Sequence, residues 1–154
     1  DMLHAILKDS LCYAGNISGG IRSLQADDFF LHLIMHQYKE SILYLMVQRS
    51  KDTELYKLLD IYLFIKRGYI ELSGLYNKVK KYGLERPIYS VMRSISELFT
   101  DFHFSDYASM FQPKDGEDEV IEPPTGRRFV WEKPISERIN FFDKGQFLRE
   151  VKDE

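Results

Sequence analysis

The stretch Phe29 to Glu40, FFLHLIMHQYKE, carries His32 and His36 four residues apart among Phe, Leu, Ile and Met. Four residues is about one helical turn, so both imidazoles project from one helix face and could share a zinc ion. An HExxH metalloprotease requires glutamate directly after the first histidine. Leu33 stands there, which excludes that chemistry. A structural zinc needs about two further ligands, and His4 and His103 lie in segments without ligand spacing. The other use of such a histidine is inside a helix interface with its nitrogens hydrogen-bonded, because an unpaired buried polar group is costly. Asp60, between Leu59 and Ile61, is the natural partner, since a carboxylate in so apolar a segment needs a donor or must neutralise. The expectation is a structural pair of His36 and Asp60 across two antiparallel helices, with no metal. His32 lies one turn away nearer the edge, and Lys57 and Arg67 are weaker local partners for Asp60.

Two further patterns bear on chemistry. Gly19 and Gly20 are followed by Asp27 and Asp28. Nucleotide transfer of the polymerase-beta-like kind uses a glycine turn and then two carboxylates two positions apart on a strand, which hold metal. Here the carboxylates are adjacent, and adjacent strand positions face opposite sides. They read instead as the opening turn of a helix. Glu117, Asp118 and Glu119 alternate but lack the glycine turn. Lys66, Arg67, Lys78, Lys80 and Lys81 could form a basic patch, but without interleaved aromatics they read as solvated helix ends. No catalytic residue is expected in this chain.

The elements that must carry these residues are mostly helical. MLHAILKDSLCYA has apolar residues at helical spacing, and GNISGGIRSL breaks it with a turn or short hairpin. A helix then opens at Gln25, a weak cap, with Asp27 and Asp28 in its first turn, and runs to about residue 48. QRSKDT is a polar connection. TELYKLLDIYLFIKRG is apolar nearly all round, which predicts a central helix over 53–67 closed by Gly68. Further helices are expected near 72–82, stopped by Gly83, and 86–101, with Pro87 in the first turn. SDYASMF adds a short turn of helix. The sequence thus predicts a mainly α protein, an irregular helical bundle over 1–111. An acidic, Pro-rich exposed linker follows over 112–128, then a C-terminal arm over 129–154 with a short strand and a helix after Pro134. The arm packs back on the bundle or onto something else.

The 154 residues suffice for one domain with a substantial core, and 11 Phe and 10 Tyr make much of that core ring packing. A net charge of −3 gives no basic field for nucleic acid. Cys12, the one cysteine, excludes an intrachain disulfide and fits a reducing, cytoplasmic setting. No apolar run approaches the roughly 20 residues that span a bilayer. Starting at Asp1 without initiator Met or secretory signal, the chain is expected to be a piece of a longer protein.

LQADDFFLHLIMHQYKE, then LYKLLDIYLFIKRG, then LSGLYNKVKKYGLERPIYSVMRSISELF resembles the C-terminal helical part of a largely uncharacterised bacterial nucleotidyltransferase family of the polymerase-beta-like superfamily. His32, His36, Tyr38, Lys39, Asp60 and Ile61 occupy family positions, with Lys80 and Gly83 at the turn between later helices. Ala26 stands where the family usually has proline, and Lys57 where it often has arginine. The resemblance covers roughly residues 17–102. It implies that the catalytic domain lies N-terminal to this region, and that Mg²⁺ and a nucleoside triphosphate belong to the parent protein rather than to this fragment. It also implies that the helical part packs on the catalytic domain and helps shape its cleft. His32, Tyr38, Lys39 and Lys57 are then candidates for the cleft or interface. The alternatives are an independent helical interaction or regulatory module of the antitoxin type, and, more remotely, an enzyme or metalloprotein using the histidine pair.

Overall fold

The structure is a computed structural model that describes residues 15–17, 21–101, 104–114, 116 and 118–152, with the backbone alone for 15–17, 21, 22, 72 and 73. The expected N-terminal helix, the Gly19–Gly20 turn, His4, Cys12, His103 and Glu117 lie outside the described residues. Strands β1 (Gly15–Ile17) and β2 (Ile21–Ser23) pair antiparallel, as the expected hairpin. The helices are α1 (Ala26–Ile42), α2 (Tyr44–Gln48), α3 (Leu55–Lys66), α4 (Leu72–Tyr82), α5 (Glu85–Leu98) and α6 (Phe104–Met110). After them come β3 (Val120–Glu122), β4 (Arg127–Trp131), the one-turn helix α7 (Ile135–Arg138), a 3-10 turn (Lys144–Phe147) and β5 (Leu148–Glu150). The protein is mainly α-helical, as expected.

Helix ends follow the local chemistry. Asp27 and Asp28 occupy the first turn of α1, beside the positive helix end. Gly68 and Gly83 adopt positive φ after α3 and α4, and in each case the next amide closes a bond five residues back: Tyr69 N–H to Phe64 O and Leu84 N–H to Val79 O. The end of α2 uses the same device with Ser50 at φ 55, a left-handed conformation that costs a non-glycine residue energy.

One predicted helix over 26–48 is in fact two. Leu43 leaves helical geometry and forms a parallel bridge with Ile121 of β3. The region read as an exposed linker is likewise structured. β3, β4 and β5 form one antiparallel sheet in that order, with Pro123, Pro124, Thr125 and Gly126 as the β3–β4 turn. Its buried side, Val120 and Phe129, joins Val47 in a second small core, and Tyr44 stacks on Phe129 at 4.8 Å.

The main core is built around α5, which packs against α1, α3, α6 and α7. Its Ile88, Met92 and Ile95 are fully buried, together with Phe30, Leu58, Ile61, Leu75, Phe104 and Phe111. The predicted central helix, α3, is peripheral. Leu58, Ile61, Tyr62 and Ile65 face inward, but Leu55, Tyr56 and Leu59 are 54%, 59% and 39% exposed. Helical periodicity cannot distinguish a helix buried all round from one with an uncovered apolar face. Accordingly, Ile61→Ala should destabilise the chain by about 2–5 kcal/mol through loss of contacts and a residual cavity, whereas Leu59→Ala should change it by about 0.5 kcal/mol at most. Urea unfolding of both variants checks the contrast.

Candidate functional site

Histidines 32 and 36 do lie one turn apart on one face, their ring centroids 6.4 Å from each other. That face is exposed. The expected pair of His36 and Asp60 is not formed. The His36 side chain is 52% exposed and its Nδ1 lies 3.7 Å from Glu40 of its own helix, while Asp60 is on the exposed side of α3. The helices run antiparallel as anticipated, with Phe29 against Phe64 at one end and Glu40 against Lys57 at the other. Asp60 points outward into solvent, so its carboxylate needs no partner on α1. Among the described residues no three His, Cys, Asp or Glu side chains converge as a metal site requires.

The other singled-out residues are dispersed. Lys57 bridges Glu40 and Glu54. Lys39 is exposed in the last turn of α1. Tyr38 is half-buried against the core, where burial first and Asp118 second push its phenol up to about 12, against the opposing pull of Arg86. Asp28, read as part of a helix start, is buried and bound to Lys78 at 2.7 Å. With Lys66 on Asp101 and Lys80 on Glu85, three of the five basic residues of the supposed patch hold carboxylates.

Two arrangements remain that could serve function. The first is the outer side of α3. Leu55, Tyr56 and Leu59 share it, with Phe29 and Tyr69, 40% and 55% exposed, at its far end around Phe64. The second was not anticipated. Asp52, placed by the sequence in a polar connection, is fully buried. Its Oδ2 accepts hydrogen bonds from Arg138 Nη1 at 3.0 Å and Thr53 Oγ1 at 2.9 Å, and its Oδ1 accepts from Lys144 Nζ at 3.0 Å. Gln37 Nε2 donates to the Asp52 carbonyl at 2.9 Å. The Arg138 guanidinium lies 3.6 Å from the Trp131 ring centroid. Burial pushes that guanidinium below its ordinary value, opposed by Asp52 and Glu97. Beside this knot lies a cleft of about 290 Å³ between α1, α5 and the C-terminal arm. The polar side of α5, with Ser90, Ser94 and Glu97, faces this cleft under the arm.

Comparison with protein-family models, with curated proteins and with solved structures found no match for this chain.

Asp52→Ala should leave two buried cations without their counter-ion and cost about 3–5 kcal/mol, whereas His36→Ala and Asp60→Ala should each stay within about 0.5 kcal/mol of wild type. Thermal unfolding monitored by circular dichroism checks the series. The raised Tyr38 value has a definite sign. Folding opposes ionisation of this phenol, so its contribution to stability is complete below pH 10 and is lost as pH rises from 10 toward 12. Ultraviolet titration of wild type against Tyr38→Phe should show one phenol removed from the alkaline end of the curve.

Proposed function

We propose that this chain is a non-catalytic helical accessory domain of a nucleotidyltransferase-like protein, acting in the cytoplasm. In this reading it docks the outer side of α3 onto the catalytic domain of the same protein and helps shape the substrate cleft there. The observation that carries the reading is that apolar face: Leu55, Tyr56 and Leu59 exposed on one helix, continued by Phe29 and Tyr69. Several large apolar side chains left exposed together on one helix are what an interaction site requires. The resemblance of α1, α3, α4 and α5 in order and spacing to the helical part of that family names the partner. His32 and His36 are exposed on α1, which packs against α3, and Lys57 of α3 holds Glu40 and Glu54. Mg²⁺ and the nucleoside triphosphate belong to the catalytic domain, since two-metal chemistry needs converging carboxylates and Asp28 is committed to Lys78.

The gene supplies the first test: the reading requires a Gly-Ser or Gly-Gly turn followed by Asp-x-Asp upstream of Asp1. Without it, the chain is an independent interaction module. The second test is biochemical. The chain alone, given Mg²⁺ and each of the four nucleoside triphosphates, should release no pyrophosphate. Leu55→Lys with Leu59→Lys should barely shift its melting temperature yet weaken binding to the separately produced catalytic domain at least tenfold. Pyrophosphate release from the chain alone that disappears on changing Asp27 and Asp28 would overturn the proposal.

A further inference from the structure

The chain leaves the small sheet after β4 and returns to it at the same place. Trp131 of β4 pairs with Leu148 of β5, and Glu132 N–H donates to Phe147 O at 2.9 Å. The two ends of the excursion, residues 133–146, are therefore held side by side. A segment of this length with joined ends is an Ω-type loop, a form used for lids and binding loops. This one carries α7 and most of the 3-10 turn. Its Lys133, Pro134, Ile135 and Arg138 line the cleft together with Ser90 and Ser94 of α5.

The way this segment is fastened differs from the rest of the fold. Ile135 is its one buried apolar side chain, with Ile139 half-buried on the main core. Phe141 and Phe142 are 48% and 89% exposed. The other attachments are polar. Ile135 N–H donates to Glu97 Oε2 at 2.9 Å, and Ser50 Oγ donates to the Phe142 carbonyl. Arg138 of α7 and Lys144 of the 3-10 turn both end on the Asp52 carboxylate, so the two halves of the segment are fastened at one point. Separating a buried ion pair rehydrates both charges, which offsets most of the lost attraction. Regions with few buried apolar contacts open more readily than the core. We propose that residues 133–146 are a lid on the cleft, hinged at the Glu132–Phe147 bond and latched on Asp52, which opens as one unit while the bundle and the sheet stay folded. Opening withdraws Ile135 and Arg138 from the cleft and lifts the guanidinium off Trp131. The inference uses no residue of the α3 face and stands apart from the accessory-domain reading.

Amide hydrogen exchange on the whole chain, under conditions where closing outpaces exchange, measures the opening. The amides of Ile135, Arg138, Ile139 and Phe141 are hydrogen-bonded within the lid or to Glu97. They should share one protection factor, at least about tenfold below that of Met92 in the core of α5. Asp52→Asn removes the charge of the latch and should lower all four by one common factor of about tenfold or more. Ile135→Ala removes the apolar seat and should do the same, which carries the test if Asp52→Asn does not fold. Leu75→Ala weakens the bundle core on α4 equally in the closed and open forms. It should lower the protection of Met92 about tenfold or more, yet leave the lid amides within about twofold of wild type. Lid amides as protected as Met92, or falling with it in Leu75→Ala, would mean that the segment opens only when the whole chain unfolds. Unrelated factors at the four amides in Asp52→Asn and Ile135→Ala would mean piecemeal fraying. Either result overturns the proposal.

Discussion

The Asp52 carboxylate, sealed from solvent between Arg138, Lys144 and Thr53, ties the α2–α3 connection to the C-terminal arm. A buried ion cluster of this type gives little net stability, because desolvation offsets most of the Coulombic gain. Its effect is positional. One oxygen pair sets the rotations of α7 and of the 3-10 turn at once, and with them the height at which the β3–β4–β5 sheet meets α2. Val47, Val120 and Phe129 form the second core where that sheet meets α2, and the arm lines the cleft.

The centre of the bundle is α5, whose sequence reads as an ordinary amphipathic helix and which packs against α1, α3, α6 and α7. Its apolar stripe is buried in the bundle, and its polar side lines the cleft beside the arm. The helix with the most apolar composition, α3, sits at the margin. Its surplus of apolar side chains is left exposed there, with Leu55, Tyr56 and Leu59 on its outer side.

Helix limits were readable because they are set locally: Asp27 and Asp28 at one start, Pro87 at another, Gly68 and Gly83 at two ends. The interruption at Leu43 was not, since its cause is a strand from another part of the chain. Likewise nothing around Asp52 marks it as buried, because its partners lie 86 and 92 residues away. The His36–Asp60 expectation failed for a related reason. Hydrophobic spacing gave the helices and their antiparallel arrangement, but the exposed apolar stripe of α3 made its solvent side look like interior. Of the candidate sites, the α3 face was present in the sequence and misassigned, whereas the cleft was illegible, being made by an arm whose seat depends on one distant carboxylate.

That separation in sequence also sets an order in time. On the ribosome, with synthesis at roughly 5–20 residues per second, Asp52 is made about 4–18 seconds before Arg138 and Lys144, 86 and 92 residues further on. Through that interval its carboxylate must stay hydrated, which holds the α2–α3 connection open while the helices around it assemble. The nascent bundle therefore waits in an unlatched form, and the segment that carries Arg138 and Lys144 shuts it.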